Sequence, residues 1–105
     1  MAEVTVGMIT WPAEQAESLA GGMVGAGLAA CVNILPAIRS LYHWEGALHN
    51  DAEALLLVKT QAARLPELSR HLATEHPYDV PEMIVLPIES GLPAYLDWVA
   101  TQTGG

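Results

Sequence analysis

Hydrophobic and polar positions follow three patterns along this chain, and each pattern predicts an element. From Glu3 to Thr10 they alternate: Val4 and Val6 are set against Glu3 and Thr5, with an apolar finish at Met8 and Ile9, which predicts a strand. Thr10 and Pro12 mark a helix start, with Glu14 in the first turn, where the positive end of the helix dipole favours a carboxylate. Ala16, Leu19, Ala20, Met23 and Val24 recur at i, i+3, i+4, i+7 and i+8, one helical face, and Gly25 and Gly27 close it. Ala29 to Leu35 is an apolar run of strand length, and Pro36 predicts a bend or bulge because it cannot donate to a ladder. Alternation then resumes. Ile38, Ser40, Tyr42 and Trp44 point one way, and Arg39, Leu41, His43 and Glu45 the other.

Glu45-Gly46 reads as a turn, and Ala47 to Thr60 returns as a second strand ending in Leu55, Leu56, Leu57 and Val58. The arms of this hairpin approach about fifteen residues each, where about five or six is usual. A tip so far from a small core needs a partner. Pro66 with Leu65, Leu68 and Leu72 predicts a second helix, ended by His76-Pro77. Val80 to Ile88 reads as a strand, pushed to an edge by Pro81 and Pro87. Leu92, Tyr95, Leu96 and Val99 predict a short last helix, and the tail from Thr101 to Gly105 reads as frayed.

The order β-α-β-β-α-β-α is that of an α+β fold. Its first six elements spell the ferredoxin-like βαββαβ pattern, with an added C-terminal helix. Such a sheet is antiparallel, carries two helices on one face and leaves the other face bare. The length, 105 residues, allows one domain, spanning 1–105.

Composition sharpens this picture. Hydrophobic residues make up 51% and charged residues only 15%, where about 25% charged is usual. A monomer this small has too much surface to hide so many apolar groups, so an oligomer is expected before any motif is read. The balance of 12 acidic to 4 basic residues, net charge -8, argues against a nucleic-acid partner, because four cations cannot neutralise a phosphate track. One cysteine gives no internal disulfide, and the first residues show no basic leader region, so a cytoplasmic protein is the expectation. Ser18 to Ile38 carries no charge and contains Gly21-x-x-x-Gly25, but four glycines, Asn33 and Pro36 make it a helix running into a buried strand and not a membrane span. The glycines of that stretch end a helix, so they build no dinucleotide loop. With no nucleophile elbow or readable Ser/His/Asp spacing, the chain reads as not an enzyme.

Several segments then combine: LAACVNILP (28–36), SLYHWEG (40–46), LLLVKT (55–60), HPYDVPEMIVLPI (76–88) and YLDW (95–98). In this order and spacing they resemble the CutA family of divalent-cation tolerance proteins over nearly the whole chain. The resemblance implies a homotrimer in which long hairpins wrap neighbouring subunits, an architecture similar to the PII signalling proteins. It also implies a role in the response to divalent metal ions, copper above all, with Cu(II) bound by some members. Animal relatives are associated with anchoring acetylcholinesterase, a scaffolding role.

Cys31 is the one soft ligand and aligns with a cysteine of many family members. Its bland reading is a small hydrophobe on a strand. Further cysteines of some relatives, on the first strand and second helix, are here Ile9 and His71. His76, within the HPY motif, either caps the end of its helix or ligates a metal in a cleft between subunits. No His/Cys spacing matches a structural zinc site. Lys59 ends an apolar strand and calls for a carboxylate or an anion; Glu82 is a partner within reach of the pattern. Glu53, six residues earlier on the same strand face and so about 20 Å away, can meet Lys59 only across a subunit boundary. With Tyr78, these residues would line an intersubunit cleft, either as salt bridges of a structural scaffold or as a site for a small molecule or anion. Tyr42, Trp44 and Trp98 are expected at an interface, where aromatic stripes on strands pack.

Overall fold

The alternation at the start of the chain forms β1 (Val4–Trp11), and in the computed structural model, which describes residues 3–104, it is the central pivot of the sheet. After one 3-10 turn come α1 (Ala16–Gly25), β2 (Cys31–Trp44) and β3 (Ala47–Gln61). A second 3-10 turn leads into α2 (Leu65–Glu75), followed by β4 (Met83–Pro87) and α3 (Pro93–Gln102). The sheet order is β2-β3-β1-β4, antiparallel throughout, which is the ferredoxin-like arrangement.

The ladder sorts side chains onto two faces. Ile9 pairs with Leu56, and Trp11 with Ala54; all four are buried under α1 and α2 with Leu19, Met23, Leu68 and Leu72. Gly25 ends α1, and Gly27 takes φ +72, the left-handed conformation that releases the chain toward β2. Val24, expected on the buried face, is 45% exposed in the last turn of the helix. The register slips between Leu35 and Ile38, the irregularity expected at Pro36.

Three elements differ from the expected ones. β4 keeps only Met83–Pro87 of the 80–88 stretch, since Pro81 has no amide to offer β1. The opposite face of the sheet is not wholly bare: α3 lies over its Val4 and Gln61 end, burying Val99 against Val4 and Ala30. Nor is the tail frayed as far as residue 104. Thr103 is fully buried, its carbonyl accepting from Gln61 Nε2 at 2.9 Å and Arg64 Nε at 2.7 Å. Those donors satisfy carbonyls that the end of α3 would otherwise orphan.

What remains open on that face is apolar. Val6, Met8, Leu55 and Leu57 are half-buried, and Leu35, Ile84 and Leu86 are exposed at 40%, 54% and 49%. The hairpin stretches the molecule to 45 × 25 × 22 Å. Its turn has both central residues left-handed, Glu45 at φ +50 and Gly46 at φ +80, the form that matches strand twist. A non-glycine residue there costs about 1–2 kcal/mol.

Candidate functional site

Where α2 stops, the proline at position 77 forces His76 into an extended conformation (φ -72, ψ 130), while its amide still donates to Leu72 O at 2.8 Å. The imidazole is thereby aimed at the end of β1. Nε2 lies 3.0 Å from the Thr10 carbonyl, and Nδ1 accepts the Tyr78 amide at 3.2 Å. This fixes the neutral tautomer with hydrogen on Nε2. The ring sits between Trp11, centroids 4.1 Å apart, and Tyr78, 4.6 Å apart. Burial of the ring lowers its pKa below the ordinary histidine value, against a smaller opposing pull from the Thr10 carbonyl and the Glu53 charge.

Tyr78 reaches the other way. Its hydroxyl donates to Glu53 Oε2 at 3.0 Å, and Glu53 is only 7% exposed on β3. Burial, then this bond, pushes the phenol up to about 12. One hairpin step outward, Tyr42 donates to the carboxylate of Asp51, which raises its pKa, and stacks on His49 at 5.2 Å. His76, Tyr78 and Glu53 thus form a chain of contacts joining α2's end to β3. Sequence patterns did not disclose the two β1 members, Thr10 and Trp11, because their parts are played by a backbone carbonyl and a ring face.

Other expected partners stand apart. Cys31 pairs with Lys59 across β2 and β3, while Thr10 pairs with Leu55. Four residues along and two strands across set Cys31 and the His76 anchor roughly 16 Å apart. Tyr95 of α3 neighbours Cys31; its phenol is raised by burial first and by the thiol second. Lys59 turns to the face away from α1 and α2, whereas Glu82 lines a groove of about 190 Å³ with Ser69, Leu72, Ala73 and His76 on the helix side. Glu82 is therefore not the partner of Lys59 within one chain. Nor is Glu53, which Tyr78 occupies. Lys59 has no ion pair or side-chain hydrogen bond among the described residues. Tyr42, Trp44 and Trp98 are 41%, 42% and 43% exposed, aromatic area left uncovered in one chain.

Both nitrogens of His76 are engaged, Cys31 lies far off, and no group of three His, Cys, Asp or Glu side chains among the described residues is placed to hold a metal ion. Within one chain these residues do not make a divalent-cation site. No helix among the described residues is long and apolar enough to cross a membrane.

Comparison with known proteins places the chain. The CutA1 divalent ion tolerance protein family matches residues 5–102. "Protein CutA 1, chloroplastic" of Oryza sativa is 47% identical over 96 residues, 90% of this chain and 54% of that protein. The "Divalent-cation tolerance protein CutA" of Thermus thermophilus is 46% identical over 98 residues, 92% of this chain and 95% of that one. The solved structure of the Thermus protein superposes with a TM-score of 0.92 at 45% identity, covering 96% of this chain and 99% of that one. The "PII-like protein CutA" of Nostoc gives 0.90 at 29%, covering 94% and 96%. The chain spans about half the length of the plant and mouse relatives it matches. On this match and this fold, the chain belongs to the CutA1 divalent ion tolerance family.

Proposed function

We propose that the chain acts as a homotrimer that binds divalent cations, copper first among them, and serves the response to metal ions without catalysing a reaction. The observation that carries the metal role is the match of residues 5–102 to a family named for divalent ion tolerance. The trimer is supported by the open apolar face of the sheet and the exposed tip of the hairpin. The single chain keeps His76 and Cys31 apart, so a site using both draws them from different copies. For location we propose the cytoplasm, while the rice relative is named as chloroplastic.

Isothermal titration with Cu(II) at about 0.15 M salt, where diffuse attraction to an acidic surface is screened, tests the site. His76→Ala and Cys31→Ser are expected to weaken binding about tenfold or more each. Equal binding in all three proteins removes both residues from the site.

Lys59 favours a second reading, a PII-like regulator that takes a small anionic molecule between copies, or a scaffold in which the same cation is a salt bridge. A bound metabolite contacting Lys59 in crystals of the assembly would support the regulator.

A further inference from the structure

The hairpin tip and the open sheet face carry complementary chemistry, and we infer that Glu45 at the tip of one copy pairs with Lys59 on the sheet face of a second copy. The inference rests on the trimer proposed above and assigns it one specific contact.

Glu45 holds φ +50, where asparagine or glycine is the ordinary occupant. The turn gains nothing from a glutamate there. Its carboxylate has no ion pair or hydrogen bond among the described residues. A strained residue with an idle charge, held at the end of an arm, has its use outside its own chain. The flanks of the tip agree: Trp44 is 42% exposed, Leu48 67% and Leu41 63%. The tip is an anion in an apolar collar.

Lys59 is the reverse. Across the ladder it faces Cys31 on one side and Val6 on the other, with Leu57 beside it and Leu86 beyond Val6. It is a half-buried cation in an apolar collar. The other basic side chains are engaged or outside such a surface: Arg39 donates to Asn50, Arg64 to Glu67 and the Thr103 carbonyl, and Arg70 is exposed on α2. Glu53 and Asp51, the carboxylates on the same face of β3, are taken by Tyr78 and Tyr42.

One chain cannot join the two ends. Lys59 and Ala47, the first residue of β3 after the turn, are twelve residues apart on one extended strand, about 40 Å. Between copies the contact is head-to-tail. In a closed three-fold ring each copy gives one tip and receives one, so no charge is left over. Burying the collars removes water from the pair, and fixes which part of the face the tip meets.

A charge swap tests the pairing. Glu45→Lys, Lys59→Glu and the double variant are compared with the unaltered chain by sedimentation over a dilution series, with far-UV circular dichroism confirming each fold. Each single variant is expected to raise the concentration at half-dissociation by about tenfold or more, and the double variant to recover most of that loss. An unaltered chain that sediments as a folded monomer overturns the trimer itself. An intact trimer whose single variants dissociate like the unaltered chain, or whose double variant is no better than the singles, overturns the pairing and leaves the trimer standing.

Discussion

Removing the Tyr78 hydroxyl should destabilise the protein through Glu53, not through Tyr78 itself. Phenylalanine keeps the ring against His76, 4.6 Å away, so the stacking contact survives. What is lost is the donor to Glu53 Oε2, on a carboxylate that is 7% exposed. A hydrogen bond to a charged group is worth about 1.5–3 kcal/mol, and an abandoned buried acceptor carries its desolvation penalty. The phenol's rise from 10 to about 12 has burial as its larger cause, so it reports a disfavoured tyrosinate and not the strength of this bond. Tyr78 is 38% exposed, and solvent reaching the pair reduces the expected cost of Tyr78→Phe to about 1–2 kcal/mol. That corresponds to about 4–16 °C in Tm at fixed protein concentration.

Glu53→Gln should cost less, since its amide oxygen still accepts from the phenol and no charge is left buried. Thermal unfolding of the two variants and their double forms the cycle that isolates the pair. The ionisation can be followed by tyrosinate absorbance, subtracting the Tyr78→Phe titration from that of the unaltered chain. The folded pKa lies above the unfolded one, so the contribution is complete below pH 10 and is lost as pH rises from 10 through about 12. A Tyr78→Phe protein within about 0.5 kcal/mol of the original, below the range for a charged hydrogen bond, would refute the argument, as would a difference titration centred at 10.

His76 should make the fold acid-sensitive: its folded pKa is lowered, so its contribution is present above 6.5 and is lost as pH falls from 6.5 toward the folded value. His76→Asn, which offers an oxygen to the Tyr78 amide but does not titrate, should flatten the stability profile between pH 5 and 7 in urea unfolding. Gln61→Ala removes the donor to Thr103 O and Oγ1 and should cost about 1–2 kcal/mol, with hydrogen exchange rising in α3 and not in β1. Leu56→Ala opens a cavity at a fully buried core position and should cost about 2–5 kcal/mol by denaturant unfolding.

The elements were legible because their signals are local. Leu65, Leu68 and Leu72 sit one helical turn apart and can bury only together. Glu45-Gly46 between two alternating runs has few other conformations open to it. The long hairpin was readable for the same reason, and so was the apolar excess, because it is a count. The misreadings have one cause, which is tertiary contact. Thr101 to Gly104 looks like a polar tail until Gln61 and Arg64, forty residues away along the chain, supply donors to its carbonyls. Val80 to Glu82 has strand composition, but pairing needs an amide that Pro81 lacks, and the ladder to β1 begins only at Met83.

The same distinction applies to the candidate site. Of the side chains that residue type singled out, Glu53, Tyr78 and His76 lie in one network, while Cys31, Lys59 and Glu82 stand apart from it. Types could not announce direction. A residue's strand face follows from parity once register is known, and the register turns Lys59 to the open face, whereas Glu82, before the start of β4, lies beside Ser69, Leu72 and His76. The register also leaves Lys59 facing outward among Val6, Leu57 and Leu86. A cation there is costly when the apolar surface around it is buried unless an anion arrives with the covering surface. On the proposed pairing, assembly and charge neutralisation are one event at this face, and a neutral Lys59→Met variant should assemble with weaker dependence on salt than the unaltered chain. Equal salt dependence in analytical sedimentation would mean that Lys59 stays in water when copies meet.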